Sequence, residues 1–263
     1  MPTISLCMIV KNEELHLARC LDSVAELVDE IIVVDTGSTD RTIEIASEYT
    51  SKVYSYPWKD DFSDARNYSF SKASMDYCMW MDADDVLKDT EKEKFLNLKQ
   101  MLQPDTDIVM MKYNTAFDEA GKPSFSYFRE RWIRNCSKYR WVGAVHEVIP
   151  PVGRLVYSDI AISHKKMRSG DPDRNLRIYR KLLAEGKTLD LRQQYYYGRE
   201  LYYHKQYEEA VSEQPGQPEQ QEQMEQLGQP EQQEQMEQLG QPGQQVLPVR
   251  EQLFRLHQDF RLP

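Results

Sequence analysis

The stretch Trp80-Met81-Asp82-Ala83-Asp84-Asp85 leads an apolar run directly into a cluster of three carboxylates. In open α/β sheets, ligands bind in the crevice beyond the carboxyl ends of the strands. Two carboxylates separated by one residue can share a divalent cation, and that cation can hold a diphosphate. Two other triples, Asp105-Thr106-Asp107 and Asp171-Pro172-Asp173, lack a preceding strand, which makes the first triple the candidate site.

The same alternation of apolar runs and helical periodicity extends over the first half of the chain. Short β-branched or apolar runs predict strands at Thr3 to Val10, Glu30 to Asp35, Lys52 to Tyr56, Asp76 to Met81 and Asp107 to Lys112. Helices are predicted between them, from Glu14 to Val24, after a cap at Thr39 or Asp40, and from Phe62 to Ala73. This order predicts an α/β fold with a mostly parallel sheet.

The second half of the chain has a different pattern. Tyr127 to Glu147 is rich in aromatic and β-forming residues, with a polar break at 135–138, and predicts a hairpin-like insertion. Asp171-Pro172 predicts a helix start and Gly186 its stop. Further helices are predicted from Leu191 to His204 and from Tyr207. The sequence therefore predicts a helical appendage behind the α/β domain.

The composition changes abruptly after Val211. The unit GQPEQQEQMEQL occurs at 216–227 and again at 228–239, and offers only Met and Leu as apolar anchors. Such a segment cannot bury enough apolar surface to offset the entropy lost on ordering. We therefore expect residues 212–263 to be a low-complexity spacer.

Charge and cysteine usage exclude several classes of protein. The 263 residues carry a net charge of −10, and the first 211 show no basic patch, which argues against a nucleic-acid ligand. The apolar run Ile4 to Val10 is too short to span a membrane. The cysteines Cys7, Cys20, Cys78 and Cys136 form no C-x-x-C pair, so we expect reduced, buried thiols in a cytoplasmic protein.

Other polar residues near predicted strand ends have both a functional and a structural interpretation. Asp35 could accept hydrogen bonds from a base or ribose beside Gly37, although a plain strand–turn–helix cap explains the same residues. Arg66 suits a phosphate or a base edge, or else a surface ion pair. Adjacent His146 and Glu147 should point to opposite faces of a strand, one into the site and one supporting it. A single histidine such as His164 is more often structural than a metal ligand.

Six motifs occur in this chain in the order seen in one enzyme family. They are TISLCMIVKNEE, EIIVVDTGSTD, DFSDARN, WMDADD, RWVGAVHE and IAISH. The chain resembles the family 2 glycosyltransferases of the GT-A fold, in particular bacterial members with tetratricopeptide-like helices, and is similar to the S-glycosyltransferases that modify bacteriocin peptides. The resemblance covers residues 3–211. It implies a GT-A catalytic domain at 1–168, a helical segment at 169–211 and the repeat tail at 212–263.

The resemblance also implies a reaction and a set of site residues. The expected activity is metal-dependent, inverting transfer of a sugar from a nucleotide-diphosphate donor, a UDP-sugar, to a protein, peptide or saccharide acceptor. Mn²⁺ or Mg²⁺ is the implied cofactor, with Asp82, Asp84 and His164 as ligands. The residues implied in binding the nucleotide-sugar are Val10, Asn12, Glu13, Asp35, Gly37, Arg66, Asp82, Ala83 and His146.

The acceptor's proton must be taken by a carboxylate. Glu147 is the first candidate for this base and Asp85 the second. Two other functions stay open at this point: a metal-dependent nucleotidyltransferase, and a non-catalytic binding module that uses the helices and tail. The chain lacks the Gly-rich, basic loop near its start that is common in the former, since Lys11-Asn12-Glu13-Glu14 occupies that place.

Overall fold

The computed structural model describes residues 1–165 and 171–212. Met1–Lys205 form one compact unit, and the chain from Gln206 belongs to a second, of which a short helix (Tyr207–Ser212) is described. Apart from Ser212, the tail expected to be a spacer lies outside the described residues.

Within the described residues, the strands form one eight-stranded mixed sheet. The strands are β1 (Ile4–Val10), β2 (Glu30–Asp35), β3 (Val53–Ser55), β4 (Tyr77–Trp80), β5 (Asp85–Leu87), β6 (Ile108–Phe117), β7 (Pro123–Arg134) and β8 (Leu155–His164). Their spatial order is β3-β2-β1-β4-β7-β6-β8-β5. Four of the pairings are parallel, β1–β2, β1–β4, β2–β3 and β6–β8, whereas β7 runs antiparallel between β4 and β6 and β5 antiparallel to β8. The predicted α/β class and mostly parallel sheet are confirmed.

The register of the central strands brings their carboxyl ends to one edge. Val10 is paired with Asp35, and Cys7 with Trp80. The polar residues that follow β1, β2 and β4 therefore emerge at the same edge of the sheet, where ligands of α/β proteins bind.

Seven helices are described: α1 (Leu17–Val24), α2 (Thr42–Tyr49), α3 (Phe62–Phe70), α4 (Asp89–Met101), α5 (Arg174–Ala184), α6 (Leu191–Tyr203) and α7 (Tyr207–Ser212). Helix α1 buries Leu17, Leu21 and Val24 completely, at the i, i+4, i+7 spacing of one helical face. Replacing Leu21 with alanine in this core would cost about 2–5 kcal/mol. Strand β5 begins at Asp85, the last carboxylate of the cluster, and helix α4 follows it; neither had a predicted counterpart.

Local chemistry sets the helix starts. The Asp61 carboxylate accepts a hydrogen bond from the Asp64 amide and caps α3. The predicted cap of α2 at Thr39 or Asp40 is wrong by one residue or two, because the N-cap is Arg41, which makes no side-chain cap; Asp40 instead accepts a hydrogen bond from the Thr42 amide. The predicted start at Asp171-Pro172 is wrong by two residues, because Asp171 forms a turn with the Asp173 amide before α5 begins.

The prediction of a hairpin within Tyr127 to Glu147 is wrong. Strand β7 forms its hairpin with the preceding strand β6, through a turn in which the Asp118 amide donates to the Lys122 carbonyl. After Arg134, a single bridge between Val142 and Val148 is the strand-like pairing of this stretch. His146 has φ 53°, in the left-handed region, which interrupts extended backbone there.

Three of the four cysteines, Cys7, Cys20 and Cys78, are free and buried, as expected. Cys136 is free but exposed, so its predicted burial is wrong. No helix in the described part of the chain is long and apolar enough to cross a bilayer.

Candidate functional site

Asp35 and the residues after β1 build one side of the sheet edge. The Asp35 carboxylate is buried and accepts hydrogen bonds from the Gly37 amide at 3.0 Å and the Ser38 amide at 3.1 Å. Gly37 has φ 106°, a conformation that side-chain-bearing residues rarely adopt. The Asn12 side chain accepts from the Thr39 amide at 2.8 Å. Asp35 and Asn12 thus fix this turn, and their neighbours Val10, Glu13 and Gly37 lie in the same two segments.

Asp84, Asp85 and His164 form a cluster whose potential metal-ligating atoms all lie within 4.8 Å of one another. His164 Nδ1 lies 3.3 Å from Asp84 Oδ1 and 3.2 Å from Asp85 Oδ1. The backbone produces this proximity, because Asp85 on β5 is paired in register with His164 on β8. Asp84 and His164 are partly exposed, whereas Asp85 is fully buried.

Buried residues hold Asp85 from behind the cluster. The Tyr113 hydroxyl donates to Asp85 Oδ1 at 2.8 Å, and Arg131 Nη1 donates to Asp85 Oδ2 at 3.1 Å. The Arg131 guanidinium is itself fully buried and stacks 3.7 Å from the ring centroid of Trp80. A buried carboxylate with both oxygens hydrogen-bonded is fixed in position. Asp85 therefore orients His164 more readily than it could reach an external ligand.

Arg66 joins the second half of the site. Its Nη2 donates to Asp82 Oδ1 at 2.7 Å, and its Nε donates to Glu147 Oε1 at 2.6 Å. The guanidinium lies 4.8 Å from the ring centroid of Trp80 and 4.9 Å from that of Trp141. Nη1 of Arg66 is buried and has no hydrogen-bond partner within the described residues. Asp82 and Glu147, which are 65 positions apart in sequence, are thus linked by one cation.

The charges shift the protonation equilibria of the cluster in different directions. Burial works to raise the pKa of Asp82, but the adjacent Arg66 outweighs it and holds this pKa below its ordinary value. Burial raises the pKa of Asp84, and the charges of Asp82 and Asp85 add to this effect. Burial works to lower the pKa of His164, but the hydrogen bond to Asp85 and the charge of Asp84 outweigh it, so the pKa is raised.

His146 and Glu147 point to different partners, although they lie in a loop and not on a strand. Glu147 faces Arg66, whereas His146 Nε2 lies 3.0 Å from Glu200 Oε1 on α6. The His146 ring stacks on Tyr196 at a centroid distance of 4.2 Å. In this structure Glu147 binds Arg66, and His146 faces helix α6.

Several residues of the site were not predicted from the sequence. They are Tyr113, Arg131, Trp141, Arg174 and Glu200. Arg174 opens α5, and its guanidinium lies 4.6 Å from the Phe62 ring centroid. Burial holds the pKa of Arg174 below its ordinary value, because it outweighs the opposing effect of the charge of Glu147. One signal was available, because Arg129-Glu130-Arg131 places charges inside a strand pattern, where they need buried partners.

A cavity of about 550 Å³ lies away from the carboxylate cluster, between α2 and β3. Asp35 and Tyr54 contribute to its wall, but Asp82, Asp84 and Glu147 do not. The convergence of titratable groups, and not this cavity, marks the candidate site.

The sequence profile of Glycosyl transferase family 2 matches residues 5–148 of this chain. A TPR repeat-containing protein of Synechococcus elongatus is 39% identical over 151 residues, 57% of this chain and 36% of that protein. The SPbeta prophage-derived glycosyltransferase SunS of Bacillus subtilis is 34% identical over 149 residues, 56% of this chain and 34% of that protein. The chain thus spans about a third of the length of these curated relatives.

Among solved structures, a mycobacterial protein superposes with a TM-score of 0.50 at 17% identity, over 70% of this chain and 73% of that chain. This similarity supports the fold alone. The expected α/β GT-A nucleotide-diphospho-sugar transferase fold is confirmed. Because the family profile matches more than half of its length, the chain belongs to glycosyl transferase family 2.

Proposed function

We propose that the chain is a metal-dependent glycosyltransferase that moves a sugar from a UDP-sugar to an acceptor, with inversion at the anomeric carbon. The acceptor class is a protein or peptide side chain or a saccharide. The observation that carries the proposal is the cluster of Asp84, Asp85 and His164 at the carboxyl edge of the sheet, beside Asp82 and Glu147.

The donor set of the cluster fits Mn²⁺ or Mg²⁺. Carboxylate oxygens and an imidazole nitrogen suit Mn²⁺, and carboxylates suit Mg²⁺. Asp84 and His164 are the partly exposed members and would hold the ion, with Asp82 as a further candidate. Asp85 would act as the carboxylate that orients a metal-bound histidine. When bound, the ion neutralises the charge on the departing diphosphate.

The protein's own residues would bind the donor on both sides of the cluster. Nη1 of Arg66 is buried and has no hydrogen-bond partner among the residues that the structure describes, and this group and the delocalised charge suit a phosphate or sugar oxygen. The turn fixed by Asp35 and Asn12 offers amides and a carboxylate to the nucleoside. Ala83, between Asp82 and Asp84, is a further expected donor contact, whereas His146, also expected to bind the donor, faces Glu200 and Tyr196 of α6 in this structure.

Glu147 is the better of the two base candidates. Asp85 is fully buried, and both of its oxygens are hydrogen-bonded to Tyr113 and Arg131. The Glu147 side chain is 12% exposed and adjoins Asp82 through Arg66. In the proposed step the acceptor oxygen, nitrogen or sulfur attacks the anomeric carbon, its proton passes to Glu147, and the nucleoside diphosphate leaves.

We further propose a role for each of the three predicted segments of the chain. Residues 1–168 would perform the transfer, the helices at 169–211 would support it, and the tail at 212–263 would act as a spacer. The acceptor and the activity of the whole protein are part of the proposal, because the relatives are much longer than this chain.

The test is incubation of the full chain with a panel of UDP-sugars, each with Mn²⁺, Mg²⁺ or EDTA. Metal-dependent release of UDP, increased by a suitable peptide or saccharide acceptor, supports the proposal. Release of pyrophosphate from a nucleoside triphosphate and a sugar phosphate would indicate a nucleotidyltransferase instead. Nucleotide binding without any turnover would indicate a binding module, and the Asp84→Asn variant provides the control for adventitious hydrolysis.

A further inference from the structure

The segment that carries Glu147 is fixed from two sides. We refer to residues 141–148 as the Glu147 loop. On one side, the Asn67 side chain of α3 binds the Trp141 backbone through two hydrogen bonds of 2.9 and 3.0 Å, and the Phe62 amide donates to the Ala144 carbonyl at 2.9 Å. These contacts come from the α/β domain itself.

The other side of the Glu147 loop is held by the helical hairpin α5–α6. Glu200 on α6 is 7% exposed, and its Oε1 lies 3.0 Å from His146 Nε2 and 3.1 Å from Asn175 Nδ2 of α5. Tyr196, one helical turn before Glu200, stacks on the His146 ring with an interplanar angle of 19°. A buried carboxylate is costly unless it is hydrogen-bonded. Glu200 meets this requirement through His146 and Asn175.

The backbone at His146 explains why such support is needed. Its φ of 53° lies in the left-handed region, where a non-glycine residue has a conformational cost that the surrounding structure must offset. Glu147 is the next residue, so the orientation of the Glu147 carboxylate towards Arg66 depends on this local conformation. A displacement of about 1 Å in a catalytic group can reduce a rate by about 10²-fold.

We infer that Glu200 is a positioning residue: through His146 it sets the conformation of the Glu147 loop, so that the α5–α6 hairpin is part of the transferase centre. This inference rests on the proposed function and on Glu147 as the base. It assigns to the helical segment a task in catalysis itself, distinct from recognition of the acceptor.

The test uses the full chain and the variant Glu200→Ala, with Glu200→Gln as the conservative replacement. An amide oxygen can still accept the hydrogen bond, so Glu200→Gln should retain most of the activity. Glu200→Ala should lower kcat by about 10²-fold and leave the Kd for UDP with Mn²⁺ unchanged. Glu185→Ala is the matched control, because it removes an exposed carboxylate at the end of α5 that is paired with Lys187. It should behave as the wild type.

A second variant approaches the contact from the loop. His146→Asn keeps a residue type that tolerates positive φ but cannot span the distance to Glu200. It should show the same loss of kcat, and the double variant with Glu200→Ala should show no further loss, since both remove one interaction. If His146 instead binds the donor directly, His146→Asn will weaken UDP binding and the two effects will add, which overturns the inference.

Hydrogen exchange provides a readout that does not require turnover. In Glu200→Ala and in His146→Asn, the amides of Phe62, Val142 and Val148 should exchange faster than in the wild type, because their hydrogen bonds close the Glu147 loop. The amides of β1 should exchange at the wild-type rate. If the wild-type chain turns over no donor, the proposed function fails, and exchange at these three amides still decides whether Glu200 sets the conformation of the Glu147 loop. Wild-type exchange at these amides in Glu200→Ala overturns the inference. If Glu200→Ala does not fold, the same result in His146→Asn overturns it.

Discussion

Nε of Arg66 lies 2.6 Å from Oε1 of Glu147, and Nη2 of the same arginine lies 2.7 Å from Oδ1 of Asp82. Arg66 comes from α3, Asp82 follows β4, and Glu147 lies in a loop that is separated from Arg66 by 81 positions. One guanidinium therefore couples a residue of the D-x-D triple to the proposed base. Its removal would leave two neighbouring carboxylates without their cation.

We expect Arg66→Gln to lower the free energy of unfolding by about 3–5 kcal/mol, because it breaks a largely buried ion pair and leaves the partners uncompensated. Urea denaturation followed by circular dichroism would measure the change. Arg41→Gln is the control, since the Arg41–Glu44 pair is exposed and should contribute little. Equal stability of the Arg66 and Arg41 variants would show that the buried network is not an energetic unit.

We expect Asp84→Asn to abolish metal-stimulated release of UDP while leaving the melting temperature near that of the wild type. Asp84 is partly exposed and adjoins His164, and its carboxylate gains little from the fold, since burial raises its pKa. A coupled assay for UDP with and without Mn²⁺ gives the result. Asp105→Asn is the matched control, because Asp105 belongs to one of the two other Asp-x-Asp triples and is exposed beside Arg154. Wild-type turnover in Asp84→Asn would refute its role as a metal ligand.

We expect Glu147→Gln to reduce transfer by about 10²–10⁴-fold, because the amide preserves the shape of the side chain but cannot accept the acceptor's proton. UDP affinity, measured by calorimetry, should change little. A collapse of nucleotide binding would instead make Glu147 a binding residue, and Asp85 would then have to be tested as the base.

Glu30 gives an expected pH dependence of stability. Burial works to raise its pKa, but hydrogen bonds from Lys52, Ser5 and Ser74 outweigh it and lower the pKa from 4.5 to about 2. A carboxylate with a depressed folded-state pKa stabilises the fold above its unfolded-state pKa, and this contribution is lost as the pH falls towards the folded value. We expect the loss of this contribution to lower the free energy of unfolding by about 2 kcal/mol between pH 4.5 and pH 2. This figure is smaller than the full pKa shift would give, because solvent screens the half-exposed Lys52.

Urea denaturation across this pH range would measure the loss. In Glu30→Gln the stability above pH 4.5 should be lower, and its decline below pH 4.5 should be shallower than in the wild type. Parallel curves for the two proteins would contradict the assignment to Glu30.

The central strands were predictable because their sequences are short apolar runs bounded by polar turns. Residues 4–10, 30–35 and 77–80 form strands within the predicted runs. The polar groups after them share one edge because parallel pairing fixes the ends together. The predicted helix from Leu191 to His204 corresponds to α6, and the predicted stop at Gly186 follows the end of α5, where this glycine has φ 74°.

The contacts within the site were not predictable, because they join residues distant in sequence. Nothing near Arg66 in sequence indicates Glu147, and nothing near His146 indicates Glu200. The error at Tyr127 to Glu147 has the same origin. Its β-forming composition was recognised, but whether β7 pairs with β6 or with later residues depends on tertiary context.

The pairing of Asp85 on β5 with His164 on β8 determines when the cluster can form during synthesis of the chain. These residues are separated by 79 positions, so a nascent chain has no complete cation cluster until its synthesis has passed His164 and β8 has docked. We therefore expect that a divalent ion held by the complete cluster does not nucleate folding of the first strands, in contrast to small zinc domains that fold around their metal. On the proposed function, the ion would bind to a chain that has already folded, and we expect its removal to stop sugar transfer without unfolding the protein.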